Sequence, residues 1–241
     1  MGDLVIVTGG SRGLGLSVAR AVPFPARVVD ISRSGPPVEL GIEHVRADLS
    51  APESLLEVAS RIGELVSDEQ PERAVLVHAA GTLTPIGFAA DVATEPYLRS
   101  VFLNAAAGQV IGQAFLAALG DHPGDHDLVM ITSGAARKVY EGWSAYCAGK
   151  AALDRWVEVA GAEQARRGRV TVSAISPGVL ATAMQEEIRR TPTHDFPDVA
   201  RFRSLHEADD LTDPDAAAAT LWRVLQRGVE PGSILDLRDL E

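Results

Sequence analysis

The sequence predicts an α/β protein with a doubly wound, mostly parallel central sheet, in one domain that covers residues 1–241. Short apolar runs such as residues 4–7 are typical of strands buried on both faces of a parallel sheet. Helical patterns separate successive apolar runs. A glycine-rich turn at residues 8–15 follows the first strand and opens the first helix. A chain of 241 residues is long enough for one large core of this kind.

The apolar runs and the patterns between them place the elements in order. Strands are predicted at residues 4–7, 27–31, 44–46, 74–78, 128–132, 170–175 and 233–237. Helices are predicted from the glycine-rich turn to Pro23 and at residues 55–65, 97–119, 144–167 and 215–226. Strands that alternate with helices in this way predict a Rossmann-type arrangement, with helices on both faces of the sheet.

One segment, residues 191–213, has little periodicity and carries Pro192, Pro197 and two histidines. Long irregular segments inside compact domains are often lids. We therefore expect a lid or substrate loop over about residues 183–213.

Charge and composition exclude several classes of partner. With 22 basic and 33 acidic residues the net charge is −11, which repels nucleic acid and anionic membranes. No apolar segment is expected to approach the about 20 residues needed to cross a bilayer. The single cysteine, Cys147, cannot form an internal disulfide, and no basic and apolar leader precedes the first strand. A cytoplasmic protein is predicted.

The glycine-rich turn, Thr8-Gly9-Gly10-Ser11-Arg12-Gly13-Leu14-Gly15, is the first candidate binding site. Glycines permit a tight turn and let a pyrophosphate approach the backbone at the positive end of the helix. A plain strand-to-helix turn is the alternative, but the position after a first strand favours a dinucleotide. The predicted cofactor contacts in the turn are Gly9, Ser11, Arg12, Gly13, Leu14 and Gly15.

The end of the second strand bears on which dinucleotide binds. Sites that prefer NAD place an acid there, which bonds the ribose hydroxyls. Here Ser32 stands at the expected acid position, Arg33 follows it, and Arg12 can approach the same point. Two guanidinium groups suit a 2′-phosphate, which favours NADP. Two alternatives stay open: Asp30 becomes the ribose acid if the register shifts, and Arg33 is an ordinary solvated arginine.

Tyr146 and Lys150 lie four residues apart in a segment of good helix formers, which places both side chains on one helix face. A tyrosine with a pKa of about 10 is a poor acid–base group near neutrality. A neighbouring ammonium stabilises the phenolate and lowers that pKa. The pair is a candidate for proton transfer, although a helix can also carry such a pair by chance.

With Ser133 upstream and Asn104 before it, the glycine-rich turn and the Tyr146–Lys150 pair resemble the short-chain dehydrogenase/reductases. The resemblance implies that the hydroxyls of Ser133 and Tyr146 bond the substrate carbonyl and that Tyr146 donates the proton. Lys150 would hold the nicotinamide ribose and lower the pKa of the tyrosine. Asn104 would kink its helix and hold a water that links Lys150 to solvent.

Two further segments extend the resemblance over essentially the whole chain. Asp48-Leu49 is similar to the family's adenine-contacting pair, and residues 177–182 are similar to its Pro-Gly-x-x-x-Thr segment. Beyond the glycine-rich turn, the implied NADPH contacts are Arg33, Asp48, Leu49, Ala80, Gly81, Asn104, Tyr146, Lys150, Pro177, Gly178, Val179 and Thr182.

Residues 142–150, the pair Met184-Gln185 and the ending 232–236 are similar to one subgroup, the sepiapterin reductases and bacterial benzil reductases. The subgroup reduces one carbonyl of a dicarbonyl compound with NADPH, which implies the same activity here. The implied substrate contacts are Ser133, Trp143, Tyr146, Met184 and Asp236. Alternatives are a member of the family that acts on a 3-ketoacyl, sugar or secondary-alcohol substrate, and a non-catalytic redox sensor that binds dinucleotide.

Asp236 has two interpretations. In the sepiapterin reductases a carboxylate at the matching point anchors the pterin ring, because it accepts two N–H donors at once. The alternative is a strand-end aspartate that bonds to backbone or to a nearby arginine such as Arg238.

His78 and Ala79 depart from the family pattern, because two asparagines usually stand there. We expect His78 to be a satisfied histidine at a strand end and Cys147 to be a plain buried thiol. His194 and His206 lack a third ligand at metal spacing, so no metal is predicted.

A homodimer is predicted from small residues on the two long helices, since family members usually pair through these helices. The residues concerned are Ala105, Ala106, Gly108, Gly112, Ala148, Ala152 and Ala160.

Overall fold

Seven strands form one sheet in the computed structural model, which describes residues 2–240. They are β1 Asp3–Thr8, β2 Ala26–Ser32, β3 Glu43–Arg46, β4 Arg73–His78, β5 Asp125–Ile131, β6 Val170–Ser176 and β7 Ile234–Asp236. Their order is β3-β2-β1-β4-β5-β6-β7, and every pairing is parallel. The doubly wound α/β prediction is confirmed, with a sheet that is parallel throughout. Met1 and Glu241, the two ends of the predicted domain, lie outside the described residues.

Eight α-helices cover the sheet in the described part of the chain. They are α1 Gly13–Arg20, α2 Pro52–Glu69, α3 Thr94–Val101, α4 Ala107–Leu119, α5 Ser144–Arg167, α6 Ala183–Arg190, α7 Val199–Glu207 and α8 Pro214–Arg227. Helices α2, α4 and α5 pack on one face of the sheet, and α1 and α8 pack on the other. The two faces are the two layers that the alternating pattern predicted.

Strand β1 is buried on both faces. Leu4 and Ile6 belong to the core under α2, α4 and α5, whereas Val5 and Val7 belong to the core under α1 and α8. All four side chains are inaccessible to solvent. This explains why residues 4–7 form a continuous apolar run, since successive side chains of a strand point to opposite faces.

The helix predicted at residues 97–119 is interrupted. A π-helical turn, Phe102–Ala106, separates α3 from α4 and contains Asn104. The run Thr94–Leu119 is 26 residues long, and an 18-residue window in it has a mean hydropathy of 1.4, so by length and composition it could cross a membrane. The core helix of a folded domain passes the same test. Two of its apolar residues, Ile111 and Phe115, are fully buried in the core.

The segment expected to be irregular contains one helix and borders another. Helix α6 begins at Ala183, and α7 covers Val199–Glu207 inside residues 191–213. The sequence conceals α7 because only Val199 and Phe202 are buried on it, too few apolar positions for a clear period. The Gln185 side-chain amide donates to the Phe202 carbonyl oxygen at 3.0 Å and joins the two helices.

A pair of glycine substitutions tests the packing of α5. A Cβ on Gly161 would lie 2.2 Å from the backbone nitrogen of Gly232. This clash is with backbone, so the turn before β7 would have to shift to remove it. Gly161→Ala should lower the free energy of unfolding by about 1–3 kcal/mol. Gly63→Ala on α2 is the control, since nothing lies within 4 Å of its Cβ. It should raise stability by about 0.5–1 kcal/mol. Denaturant unfolding measures both, and equal effects would contradict the packing described.

Candidate active site

A cavity of about 590 Å³ runs along the carboxyl ends of the strands. Parallel strands end at the same edge of the sheet. The strand order reverses between β1 and β4, so the connections that leave these two strands run in opposite directions and open a crevice. Most of the predicted site residues line this one cavity. They are Gly9, Ser11, Arg12, Gly13, Leu14, Gly15, Arg33, Asp48, Leu49, Ala80, Gly81, Ser133, Trp143, Tyr146, Lys150, Pro177, Gly178, Val179, Thr182 and Met184. Asn104 and Asp236 are not among its lining residues.

The glycine-rich turn is too tight for side chains. A Cβ on Gly15 would lie 2.3 Å from the carbonyl oxygen of Gly9, and Gly9 itself has a φ of +74°. Arg12 precedes α1 in an extended conformation, and no side chain caps the first N–H groups of the helix. The positive end of α1 thus opens on the cavity with donors available, which fits a pyrophosphate.

Asp30 does not face the cavity. It is fully buried and accepts hydrogen bonds from the Gly10 backbone N–H and the Ser32 hydroxyl, both at 2.6 Å. Its second oxygen also lies 3.1 Å from Nδ1 of His44. The carboxylate therefore holds the glycine-rich turn against β2, and a ribose acid at Asp30 does not fit this geometry.

Arg12 and Arg33 both line the cavity, and neither has an acidic partner within 4.0 Å among residues 2–240. Asp48 differs, because Arg99 and the Ser50 hydroxyl both donate to it. Burial raises the pKa of Asp48, but the donors from Ser50 and Arg99 outweigh it, so the pKa lies below its ordinary value. Two uncompensated guanidinium groups remain near the end of β2.

Tyr146 and Lys150 share one face of α5, and Lys150 Nζ lies 5.8 Å from the centre of the Tyr146 ring. Burial raises the pKa of Tyr146, and the neighbouring Ser133 hydroxyl offsets part of the rise. The expected lowering of this pKa is not seen, because burial disfavours the phenolate. The Lys150 ammonium donates to the Ile131 carbonyl oxygen at 2.7 Å. Burial also lowers the pKa of Lys150, to about 8.

Asn104 supports the cavity from behind. Its Oδ1 accepts from the Thr82 backbone N–H at 3.0 Å, and its Nδ2 donates to the Thr82 carbonyl oxygen at 2.8 Å. The π-helical turn supplies the kink that the resemblance implied. A Cβ on Gly81 would lie 3.2 Å from Oδ1 of Asn104 and 3.6 Å from Nζ of Lys150. Asn104 thus positions the loop that follows β4 beside Lys150.

His78 joins β4 to β1. It is fully buried, and its Nδ1 lies 2.9 Å from the Thr8 hydroxyl oxygen. Burial, with a smaller effect of Lys150, lowers the pKa of His78 to about 3, so the ring is neutral near pH 7. Nε2 has no hydrogen-bond partner among residues 2–240, so the histidine is satisfied at one nitrogen only.

Asp154 was missed in the sequence, although it lies one turn beyond Lys150 on the same face of α5. It is buried, and the Thr132 hydroxyl donates to it. Burial raises the pKa of Asp154, whereas the carboxylate raises the pKa of Lys150 against the effect of burial. The signal was available, because residues at i, i+4 and i+8 share one face of a helix.

Aromatic side chains form one wall of the cavity. Trp143 stacks on Phe196 with ring centres 4.3 Å apart and meets the Tyr146 ring edge-on at 5.7 Å. Tyr140 and Phe202 pack against the same indole at 5.0 and 5.3 Å. Trp143 was predicted, but Tyr140 and Phe202 were not. Phe202 was missed because α7 was not expected.

Asp236 bonds to backbone and to Arg238, as a strand-end aspartate would. Its carboxylate accepts from the Arg238 backbone N–H at 3.1 Å, from Arg238 Nε at 2.8 Å and Nη2 at 2.6 Å, and from the Ser176 hydroxyl at 3.2 Å. The Arg238 hydrogen bond lowers the pKa of Asp236. Arg238, rather than Asp236, lines the cavity. A substrate-anchoring role for Asp236 would require Arg238 to move aside.

Comparisons with known proteins agree with this geometry. The sequence model of the family described as short chain dehydrogenase matches residues 3–193. Benzil reductase ((S)-benzoin forming) from Bacillus subtilis is 35% identical over 243 residues, which are 98% of this chain and 99% of the relative. Sepiapterin reductase from Bos taurus is 30% identical over 257 residues, which are 98% of this chain and 94% of the relative. The crystal structure of the KRED1-Pglu enzyme matches with a TM-score of 0.80 at 27% identity, over 96% of this chain and 99% of the other.

The electrostatic link between Asp154 and Lys150 can be measured directly, because Lys138 and Lys150 are the only lysines. In protein labelled with ¹³C-lysine, the Lys150 signal should titrate near pH 8. Asp154→Asn should shift that titration to lower pH, since the carboxylate that favours the ammonium is removed.

Lys138→Arg identifies the remaining signal as that of Lys150. Glu163→Gln is the control, because it removes an exposed negative charge from the same helix more than three turns from Lys150. A Lys150 titration that is identical with and without Asp154 would contradict the link.

Proposed function

Because the chain belongs to the short-chain dehydrogenase family and is thus an oxidoreductase of that family, we propose that it is an NADPH-dependent carbonyl reductase. Its substrate would be a small dicarbonyl compound, sepiapterin-like or benzil-like, of which it reduces one carbonyl. The observation that carries the proposal is the single cavity in which Ser133, Tyr146 and Lys150 meet an aromatic wall. The benzil and sepiapterin reductases among the relatives support the same class of substrate.

The residues of the adenosine side fit NADPH. The uncapped end of α1 and the glycine-rich turn would hold the pyrophosphate. Arg12 and Arg33 would hold the 2′-phosphate, because both line the cavity with no acid paired to them among residues 2–240. Pro177, Gly178, Val179 and Thr182 line the other end, where the nicotinamide would lie. When bound, NADPH supplies the hydride.

Tyr146 is suited to give a proton rather than to take one. Burial raises its pKa, so the phenol stays protonated near neutrality and can donate to the developing alkoxide. The Ser133 hydroxyl would donate a second hydrogen bond to the same carbonyl oxygen. Lys150 is an ammonium below its pKa of about 8, and its charge stabilises the negative charge that develops beside it.

The apolar side chains near Tyr146 favour a flat aromatic substrate. Leu83, Trp143, Met184 and Phe202 line the cavity near Tyr146, and flat aromatic groups pack well against such side chains. A cavity of about 590 Å³ lies within the range usual for small-molecule sites.

We also retain the predictions of a cytoplasmic homodimer. Of the small residues considered, Gly108 and Gly112 are not available for pairing, since Leu153, His78, Trp156 and Met130 of the same chain cover them, whereas Ala148 is exposed. A shallow groove on the outer side of α4 and α5, lined in part by Leu116, Trp156 and Val159, is a further surface for pairing.

Replacement of the proposed proton donor tests the reaction. Tyr146→Phe should lower kcat for benzil reduction by at least about 100-fold, because a positioned general acid contributes at least that much. NADPH should still bind, since the ring packing is preserved. NADPH oxidation and quenching of protein fluorescence measure the two effects. Tyr97→Phe, outside the cavity, is the control, and a Tyr146→Phe enzyme that keeps more than about a tenth of kcat would contradict the role.

Cofactor choice is tested at the end of β2. Arg33→Ala should raise KM for NADPH by more than about tenfold, because a charge-assisted hydrogen bond contributes roughly 1.5–3 kcal/mol. KM for NADH should change little. Arg46→Ala on β3 serves as the control, since Arg46 is exposed and does not line the cavity. An unmodified enzyme that uses NADH as well as NADPH would refute the preference.

A further inference from the structure

Three cationic side chains line the substrate side of the cavity: Lys138, Arg201 and Arg238. Lys138 follows the short 3₁₀ turn Gly134–Ala136 that begins after Ser133, Arg201 lies on α7, and Arg238 lies after β7. The proposed reaction needs none of them. Three cations on one side of a cavity, in a chain of net charge −11, favour an anionic ligand.

Arg201 is held in place by uncharged groups. Its Nη1 donates to the Tyr140 hydroxyl oxygen at 2.6 Å, and its guanidinium carbon lies 5.6 Å from the centre of the Phe202 ring. Among residues 2–240 no carboxylate lies within 4.0 Å of it. The hydrogen bond orients the guanidinium and leaves its positive charge uncompensated.

Of the other charged groups on this side of the cavity, Arg238 is paired and Glu187 has no cationic partner among residues 2–240. The Asp236 carboxylate bonds Arg238 through two nitrogens, so that arginine is already neutralised. The Glu187 carboxylate accepts from the Thr84 hydroxyl at 2.6 Å, which leaves its negative charge in place. Lys138, like Arg201, has no acidic partner within 4.0 Å in the described part of the chain. The uncompensated positive charge of the substrate side thus rests on Arg201 and Lys138, against the one carboxylate of Glu187.

Aromatic contacts connect Arg201 to the reacting centre. The Tyr146 ring lies 5.7 Å from Trp143, Trp143 lies 5.0 Å from Tyr140, and the Tyr140 hydroxyl accepts from Arg201. A flat substrate that places its carbonyl at Tyr146 and lies along this wall would carry its far end to the guanidinium. Guanidinium groups bind carboxylates through two parallel hydrogen bonds.

We propose that Arg201, assisted by Lys138, binds a carboxylate at the end of the substrate remote from the reduced carbonyl. The inference rests on the proposed function and narrows its substrate class to aryl dicarbonyl compounds that bear an acidic group. Tyr140 is then a positioning residue, because it holds the arginine in line with the aromatic wall.

A matched pair of substrates tests the proposal. Benzil and 4-carboxybenzil share the reacting diketone and differ in the carboxylate. The wild-type enzyme should prefer 4-carboxybenzil in kcat/KM by about tenfold, the low end for a charge-assisted hydrogen bond. Arg201→Gln should abolish most of this preference through KM, and Tyr140→Phe should reduce it in part. Arg190→Gln should leave the preference intact, since it removes a charge from an exposed position on α6 outside the cavity.

Ionic strength gives a measurement that needs no variant. The preference of the wild-type enzyme should shrink as salt rises, because an exposed ion pair is screened. A preference that is absent, or that does not change in Arg201→Gln, would overturn the proposal. An equal loss of kcat/KM on both diketones in Arg201→Gln would also overturn it, since it would show that Arg201 only supports α7.

A non-reducible probe separates this inference from the proposed function. Biphenyl-4-carboxylate and biphenyl-4-carboxamide can be titrated calorimetrically into the protein with NADP⁺ present. One outcome is that the enzyme reduces benzil but prefers neither 4-carboxybenzil over benzil nor biphenyl-4-carboxylate over the carboxamide. That outcome would leave the reductase proposal standing and refute the Arg201 site. Absence of diketone reduction, together with carboxylate binding that Arg201→Gln abolishes, would refute the reductase proposal and support the site.

Discussion

The burial of β1 between two apolar layers is the constraint on which the rest of the structure depends. Its side chains alternate between the core under α2, α4 and α5 and the core under α1 and α8, with no face left for solvent. Because such a strand lies in the middle of a parallel sheet, the chain must leave it at the carboxyl edge and turn at once into α1. That turn has room only for backbone, as the contact between Gly15 and Gly9 shows. The cavity and its donors follow from this exit.

Burial also sets the chemistry on α5. It raises the pKa of Tyr146 and lowers that of Lys150, so both groups are biased towards their neutral forms. The Asp154 carboxylate opposes this bias at Lys150 from one turn away. A single rigid helix therefore holds a buried phenol, a cation and the acid that tunes the cation, which loops could not hold at constant spacing.

The cavity concentrates positive charge in an acidic protein. Arg12 and Arg33 lie at the end near β2, whereas Lys138 and Arg201 lie at the end near α7, and none of the four pairs with an acid in the part of the chain that the structure describes. Uncompensated positive charge on the wall of a low-dielectric cleft focuses its field on an anionic ligand. Both ends thus favour anionic groups, with the apolar wall between them.

Local patterns were enough to determine most of the scaffold and to place Tyr146 and Lys150 on one helix face. The buried strands, the glycine-rich turn and the four-residue spacing of Tyr146 and Lys150 depend only on neighbours along the chain. The identity of α7 was not predictable, because its sequence has few apolar residues and the helix is stabilised by packing on distant aromatic rings. The π-helical turn at Asn104 likewise depends on Thr82, more than twenty residues away.

The sequence by itself determined the fold class, the parallel direction of the strands and most of the residues that line the cavity. Only the tertiary structure decided which charges are free and which are neutralised. Asp30 turns inward to the glycine-rich turn, Asp236 is taken by Arg238, and Arg201 keeps an uncompensated charge. The reason is physical: a periodic pattern records which face of an element is buried, whereas an ion pair depends on the distance between side chains from different elements.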